Sequence, residues 1–410
     1  MSSDAGRFNE PPASSRLLLH RELQLENEIN GGIVKIEEEL KDYGFDVPTY
    51  RRAKRYEKDS LKLGLVESFL SVAALAAFGI WGSDRLYRVL SGFFPCPWGV
   101  RILYIAIFVV GAFILGLPGG WGSYRIERAY KLSRQSLNDW FGDQVKSLGV
   151  TLTLSLITLV PLFWVMRATT LWWVWSWIVG TGVIVFISFI SPTVLMPIFY
   201  NFEEIDDEGL IERLTGLADR SGVDVIGAFR MDAGEKTKKA TGGLTGIGSS
   251  RRIIISDTML ENYSNEEIEA VMAHEMGHHE HGDIWVLLIE QSLSLLLGLF
   301  LVSLFLGKIL VPLGLGLNVS SLPFLLGLIG LLEALVSPLR NYVSRLRERQ
   351  ADEFSLRTVN NPAALGDGLV KLSQQNLGNP APTKLVELLF HDHPAGLSRA
   401  RRAYQWPERE

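Results

Sequence analysis

The chain has one cysteine, Cys96, in 410 residues. A single thiol excludes an intrachain disulfide framework and a cysteine-based zinc site, so any metal must be held by histidine and carboxylate. A basic surplus is also missing. The 40 Lys plus Arg against 45 Asp plus Glu leave a net charge of −5, with no footprint for nucleic acid, and no nucleic-acid partner is expected. Residues 1–15 are polar, contain two prolines and lack the basic-then-apolar order of a signal peptide, so no cleavage is expected there.

Apolar residues, by contrast, make up 47% of the chain, and mean hydropathy is +0.17. They are clustered. A bilayer span takes about 20 predominantly apolar residues in a helix. Five segments meet that length: 63–82, interrupted only by Glu67; 102–121; 148–166; 171–200; and 284–306, carrying Glu290. A sixth, 309–332, contains Pro312, Pro323 and a mostly polar run at 318–321, so 309–322 is expected as a re-entrant or outer loop and 323–339 as the span. Basic residues orient this array. Arg51, Arg52, Lys54, Arg55, Lys58 and Lys62, then Arg125, Arg128, Lys131, Arg134 and Lys146, outnumber the cations of the alternating loops. This predicts a multi-pass membrane protein with both termini, and residues 201–283, on the cytoplasmic side. Glu67, Glu290 and Glu333 sit in or at the end of apolar segments, where carboxylates face a bundle interior, a water-filled cavity or a nearby interface. Glu290, about two turns into span five, is the best candidate for lining a hydrated chamber.

The remaining segments are of soluble character. Residues 16–60 mix both charge signs with leucines and isoleucines. They predict one or two amphipathic helices on the membrane surface, against another domain, or in solvent. Residues 201–283 begin with a helical pattern (Leu210, Ile211, Leu214, Leu217, Ala218) ending at Gly222, followed by strand-like runs at 223–231 and 252–256. Between them Thr241, Gly242 and Gly243 belong to a Gly- and Thr-rich stretch. It suits an edge strand that pairs with an extended peptide, and equally a flexible hairpin. The expected division is an arm at 1–60, spans one to four at 61–200, a first catalytic part at 201–283, spans five and six at 284–339 and a second catalytic part at 340–410.

The chemistry concentrates in Ala273-His274-Glu275-Met276-Gly277-His278. Two histidines four apart on a helix lie on one face, so their imidazoles can converge on one Zn²⁺ per chain, and Glu275 can reach a water held by that metal. A capping box at 264–267 and apolar residues Ile268, Val271, Met272 and Met276 predict the helix. A catalytic zinc site takes three protein ligands and one open position. Glu348 is assigned as the third ligand and Asp352, one turn on, as the acceptor that orients a ligand histidine. His279 points off the ligand face and His281 lies about two turns from His274, so neither is expected to bind the metal.

HEMGH, the downstream Glu348-x-x-Ala351-Asp352 and the spans between them resemble the integral-membrane zinc metalloproteases that include the type-1 CAAX prenyl endopeptidase and the bacterial heat-shock membrane protease. The resemblance runs over about residues 50–400 and includes 253–260, Leu117-Pro118, and Ser337-Pro338. It implies an α-helical polytopic membrane protein, with spans ringing a chamber and a cytoplasmic α+β zinc-protease domain. The implied activity is zinc-dependent endopeptidase on a peptide or protein substrate, prenylated or membrane-bound, within a lipid bilayer. The alternatives are a membrane-protein quality-control protease of the heat-shock type and a catalytically inactive membrane scaffold. By the same resemblance, His393 in the block 393–399 would stabilise the oxyanion, and Arg399 would contact substrate or a site carboxylate. His391 has no such match. The chain departs from the CAAX branch in having Thr241-Gly242 for Asn-Ala on the substrate strand, Asp283 for a histidine, and the arm 1–60 in place of a first span.

Overall fold

The computed structural model describes residues 34–246, 248, 251–310 and 318–407. Residues 34–42 form a helix, α1, and Asp46 then caps a second by accepting hydrogen bonds from the Thr49 backbone amide (2.8 Å) and hydroxyl (2.6 Å). This helix, α2 (Val47–Ala77), passes through a π-turn at Phe78–Gly82 into α3 (Ser83–Phe93). The expected border at residue 60 therefore falls inside one unbroken helix. Residues 1–33 of the expected arm lie outside the described residues. Leu40, Phe45 and Tyr50 pack with Val370, Leu397 and Ala400, so the part of the arm that is described rests on the C-terminal helices.

The next apolar helices are α4 (Pro97–Ala129), α5 (Leu137–Ala168), opened by a Ser136/Asp139 capping box, and α6 (Trp172–Ile190). After the soluble segment come α10 and α11, described below with that segment. Six helices are long and apolar enough to cross a membrane among the described residues. They share one core, in which Tyr104, Ile105, Phe163, Leu299, Val302 and Leu322 are buried, while Phe69, Leu115, Trp164 and Leu335 are exposed. An apolar exterior around an apolar core is the pattern of a helix bundle solvated by lipid.

Between α6 and α10 lie β1 (Phe202–Glu204), α7 (Glu208–Arg220), β2 (Ala228–Met231), β3 (Gly242–Thr245), β4 (Arg252–Ser256), α8 (Asp257–Asn262) and α9 (Asn265–Glu280). The strands form a sheet in the order β1-β2-β4-β3, with β2 and β4 parallel and the outer pairs antiparallel. The expected strand at 223–231 is shorter by its first five residues. Val223 N–H donates to Ala218 O (2.9 Å), so that stretch is used in closing α7 after Gly222 turns left-handed at φ 62°. Residues 242–245 form a strand at the sheet edge, the first of the two readings open in the sequence.

Helix α10 (Asp283–Phe305) follows α9 through Gly282 at φ 66°. The expected loop at 309–322 lies partly outside the described residues. Its end, Val319–Ser321, is a buried 3₁₀ turn. Helix α11 (Leu322–Val359) then runs 38 residues, carrying the sixth span in its first half and Glu348 and Asp352 in its second. Helices α12 (Pro362–Gln375), α13 (Lys384–Phe390) and α14 (Gly396–Tyr404) complete the chain.

Candidate active site

Helix α9 is fixed at both ends. Ser264 Oγ accepts from Glu267 N–H (3.3 Å) and Glu267 Oε2 accepts from Ser264 N–H (2.8 Å), the capping box expected from the sequence. Ile268, Met272 and Met276 bury the inner face against Ile253, Ile255 and Leu214. Helix α11 crosses the opposite face. It can approach because residue 277 is glycine: a Cβ there would stand 3.0 Å from Ala351 Cα. Ser355 Oγ donates to Ala270 O (2.7 Å) across the same crossing.

This crossing brings His274, His278 and Glu348 together, with one ligand atom of each within 4.8 Å of the others. His274 Nε2 is 3.4 Å from Glu348 Oε2, His278 Nε2 is 3.2 Å from Glu348 Oε1, and the two Nε2 atoms are 3.2 Å apart. Each Nδ1 is taken by a carboxylate: His274 by Asp352 Oδ1 at 2.9 Å and His278 by Asp283 Oδ2 at 2.7 Å. A carboxylate can only accept, so each Nδ1 carries a proton, and each ring in the neutral form a metal requires would turn its Nε2 lone pair inward. Glu348 Oε2 is buried and has no hydrogen bond among the described residues. Two inward lone pairs and an unsatisfied buried carboxylate oxygen fit a divalent cation, and nitrogen-nitrogen-oxygen donors suit zinc.

Arg399 is buried behind this cluster. It forks onto Asp352 (Nε to Oδ2 2.9 Å, Nη2 to Oδ1 2.7 Å) and places Nη1 3.3 Å from Glu348 Oε2. Burial pushes the carboxyl groups of Glu348 and Asp352 up, but the histidine partners and Arg399 hold both well below the usual carboxylate range. For His278, burial works downward, and the hydrogen bonds to Asp283 and Glu348 outweigh it and carry the pKa up to about 10 in the metal-free protein.

His393 Nε2 lies 3.2 Å from Glu348 Oε1 while its Nδ1 contacts Asp392 (2.8 Å), and its side chain is 55% exposed, open to a bound molecule. Glu275 faces the sheet edge: a Cβ on Gly243 would be 3.8 Å from Glu275 Oε2. Gly242 turns the other way, where a Cβ would meet Met259 Sδ at 3.1 Å, and Thr241 is tied to Ser256 through its N–H and its carbonyl (2.9 Å each). A cavity of about 170 Å³ lies beside Glu275 and His278, bounded by Leu244, Ile284 and Trp285. The glycine strand, the acid and the ligand cluster thus share one opening.

Other residues sit apart from the cluster. His281 Nδ1 donates to Gly277 O (2.6 Å), closing the helix end, and His391 Nε2 is 2.8 Å from Glu57 on α2. His279 Nδ1 is buried with no hydrogen bond among the described residues. Glu290 meets Arg340 Nε at 2.6 Å, and the same guanidinium binds Glu333. The carboxylate in span five is therefore explained by an ion pair that sequence reasoning missed. Also missed was the hold of Asp283 on His278; its second oxygen is held by Arg347. Its signal was local: an acid directly after a glycine that can turn left-handed, five residues past the second ligand.

The family model described as the CAAX prenyl protease N-terminal region, with five membrane helices, matches residues 34–201, and that of peptidase family M48 matches 205–406. The chain is 27% identical over 328 residues to the Bacillus subtilis protein named "Uncharacterized metalloprotease YhfN", covering 78% of this chain and 77% of that one. It is 22% identical over 410 residues to the Homo sapiens protein named "CAAX prenyl protease 1 homolog", covering 86% of each. The crystal structure of S. mikatae Ste24p superposes with a TM-score of 0.78 at 20% identity, over 90% of this chain and 91% of that one, which shows a shared fold.

Proposed function

The chain belongs to peptidase family M48 and is a multi-pass membrane zinc metalloendopeptidase, and from that premise we propose the roles of its individual residues and the class of its substrate. His274, His278 and Glu348 hold one zinc ion, and Asp352 and Asp283 fix the tautomers of the two imidazoles. When bound, zinc supplies Lewis acidity, polarising a carbonyl and lowering the pKa of a water. Glu275 takes the proton from the attacking water and delivers it to the leaving amine. His393 donates to the developing oxyanion from the open side. Arg399 positions Asp352 and Glu348 and does not touch the substrate. The free edge of β3 pairs with an extended peptide, with Thr241, Gly242 and Gly243 presenting main-chain groups and Gly243 leaving room for Glu275.

The substrate is a peptide reached from the membrane, and the preferred reading is a prenylated C-terminal segment. The names of several relatives support it, since curated proteins of human, nematode and fission yeast similar to this chain are named as CAAX prenyl proteases. The observation that carries the peptidase reading is the convergence of the HEMGH histidines and Glu348 beside an edge strand. A cleavage assay on a farnesylated peptide beside the same unmodified peptide tests the substrate class. Preference for the farnesylated form is expected. Equal cleavage would move the reading to general proteolysis of membrane proteins, for which Asp283 in place of histidine is the sequence argument. The basic flanks support a catalytic domain and termini on the cytoplasmic side. Residues 201–283 and 340–410 together make up the catalytic domain, and 61–200 with 284–339 the membrane part.

A further inference from the structure

A cavity larger than the one beside Glu275 lies away from the catalytic cluster. It measures about 590 Å³ and lies where the start of α2, the turn between α4 and α5, the approach to β3, α8 and α12 meet. Its charged lining is Arg52, Lys131, Arg134, Lys238 and Lys371 against one carboxylate, Glu261, in a chain whose overall charge is negative. Lys371 is neutralised by Glu267 at 2.7 Å. Arg52 donates to the Tyr130 carbonyl and Arg134 to the Gly234 carbonyl (3.0 Å), neutral partners that leave the positive charge uncompensated. Among the described residues, Arg52, Lys131, Arg134 and Lys238 make no ion pair. These four cations outnumber Glu261, the one other charged group of the concavity without an ion pair, and an anion that enters relieves their mutual repulsion.

We propose that this cavity is a binding site for a phosphate-bearing anion, larger than a single phosphate, held by Arg52, Lys131, Arg134 and Lys238. Guanidinium forks and ammonium groups together are the chemistry that recognises phosphate oxygens. The volume is that of a site for a small organic molecule or a headgroup and exceeds what one phosphate fills. Helix α4 carries the chain about 12 Å from Trp121, the end of its apolar stretch, to Ala129. The cavity therefore stands at or just beyond the headgroup layer, within reach of a dissolved phosphate compound and of a protruding phosphorylated headgroup. Its wall also leads to the substrate strand. Lys238 N–H donates to Leu132 O (2.8 Å), Gln375 Nε2 donates to Lys238 O (2.9 Å), and Asn376 binds both the N–H and the carbonyl of Ala240, two residues before β3. Occupancy would brace the segment from which β3 starts.

The test uses the zinc-loaded full chain and the double variant Lys131→Gln/Lys238→Gln, which removes two ammonium groups that make no ion pair among the described residues. Lys58→Gln/Lys62→Gln on the exposed part of α2 is the charge-matched control. Pyrophosphate binding is measured by calorimetry in detergent. Lipid binding is measured by native mass spectrometry after release from nanodiscs of phosphatidylcholine with or without a phosphatidylinositol phosphate. Unchanged zinc content and melting temperature report that each variant is folded. Binding in either arm that weakens about tenfold or more in the cavity variant and not in the control supports the site, and the arm in which it occurs names the source. Absence of binding in both arms, an unchanged affinity in the cavity variant, or an equal loss in the control would overturn it.

Discussion

Gly277 and Ala351 touch across the crossing of α9 and α11, where an added Cβ on the glycine would lie 3.0 Å from Ala351 Cα and 3.0 Å from Phe354 Cβ. Both contact atoms, a Cα and a Cβ, are fixed by the backbone of α11, so neither can swing aside. Gly277→Ala should therefore destabilise the protein by about 1–3 kcal/mol and draw Glu348 away from the imidazoles. Melting temperature and zinc content of the purified variant check this. Wild-type values for both would mean that the close approach does not set the site.

Metal binding and proton transfer should separate by mutation. Glu275→Gln should keep about one zinc per chain and lose about 100- to 10,000-fold in turnover, the range for removal of a general base. His274→Ala should lose zinc and activity together. Elemental analysis beside a peptide-cleavage assay reads both, and a zinc-free Glu275→Gln protein would reassign that residue to the metal.

Asp283 accepts the Nδ1 proton of His278 at 2.7 Å. Asp283→Asn keeps the shape and removes the charge, and zinc affinity should fall about 10- to 100-fold. Competition with a chromogenic chelator measures it. Unaltered affinity would show that Arg347 and the helix alone orient the ring.

Much of this was legible from spacing. The His-x-x-x-His interval, the capping box at Ser264 and the charge-free apolar runs are local patterns, and local patterns survive folding. Glu348 could be proposed because a zinc site with two histidines lacks a ligand and the sequence offers an acid one turn from Asp352. The rest depended on contacts distant in sequence. Nothing near Glu290 marks Arg340, fifty residues on, as its partner, and nothing near Leu40 marks Leu397. The unbroken run of α2 through residue 60 was hidden because its first part is charged and its second apolar, although the backbone does not change. Gly277 lies between the two histidines with nothing nearby to mark it, and its role comes from the approach of α11.

His393 is exposed yet lies 3.2 Å from Glu348. His393→Ala should lower kcat by about 100- to 1,000-fold with little change in KM, as for loss of one oxyanion donor. Steady-state kinetics on a short peptide decides it, and an increase in KM alone would assign the ring to substrate binding.

Cys96 is exposed in the turn between α3 and α4, at the far end of those helices from the sheet, and no introduced thiol is needed there. In sealed vesicles it should label from the side opposite to a cysteine placed at exposed Asp219 in a Cys96→Ser background. Labelling of both positions from one side would break the six-span arrangement.

Helix α11 passes without interruption from the sixth span to Glu348, and α9 meets the fifth span through the two-residue turn His281-Gly282. The catalytic centre is therefore a mechanical joint between two membrane struts. A tilt of one span against the other would move Glu348 against the histidines, and a metal held by all three would limit how far the struts part.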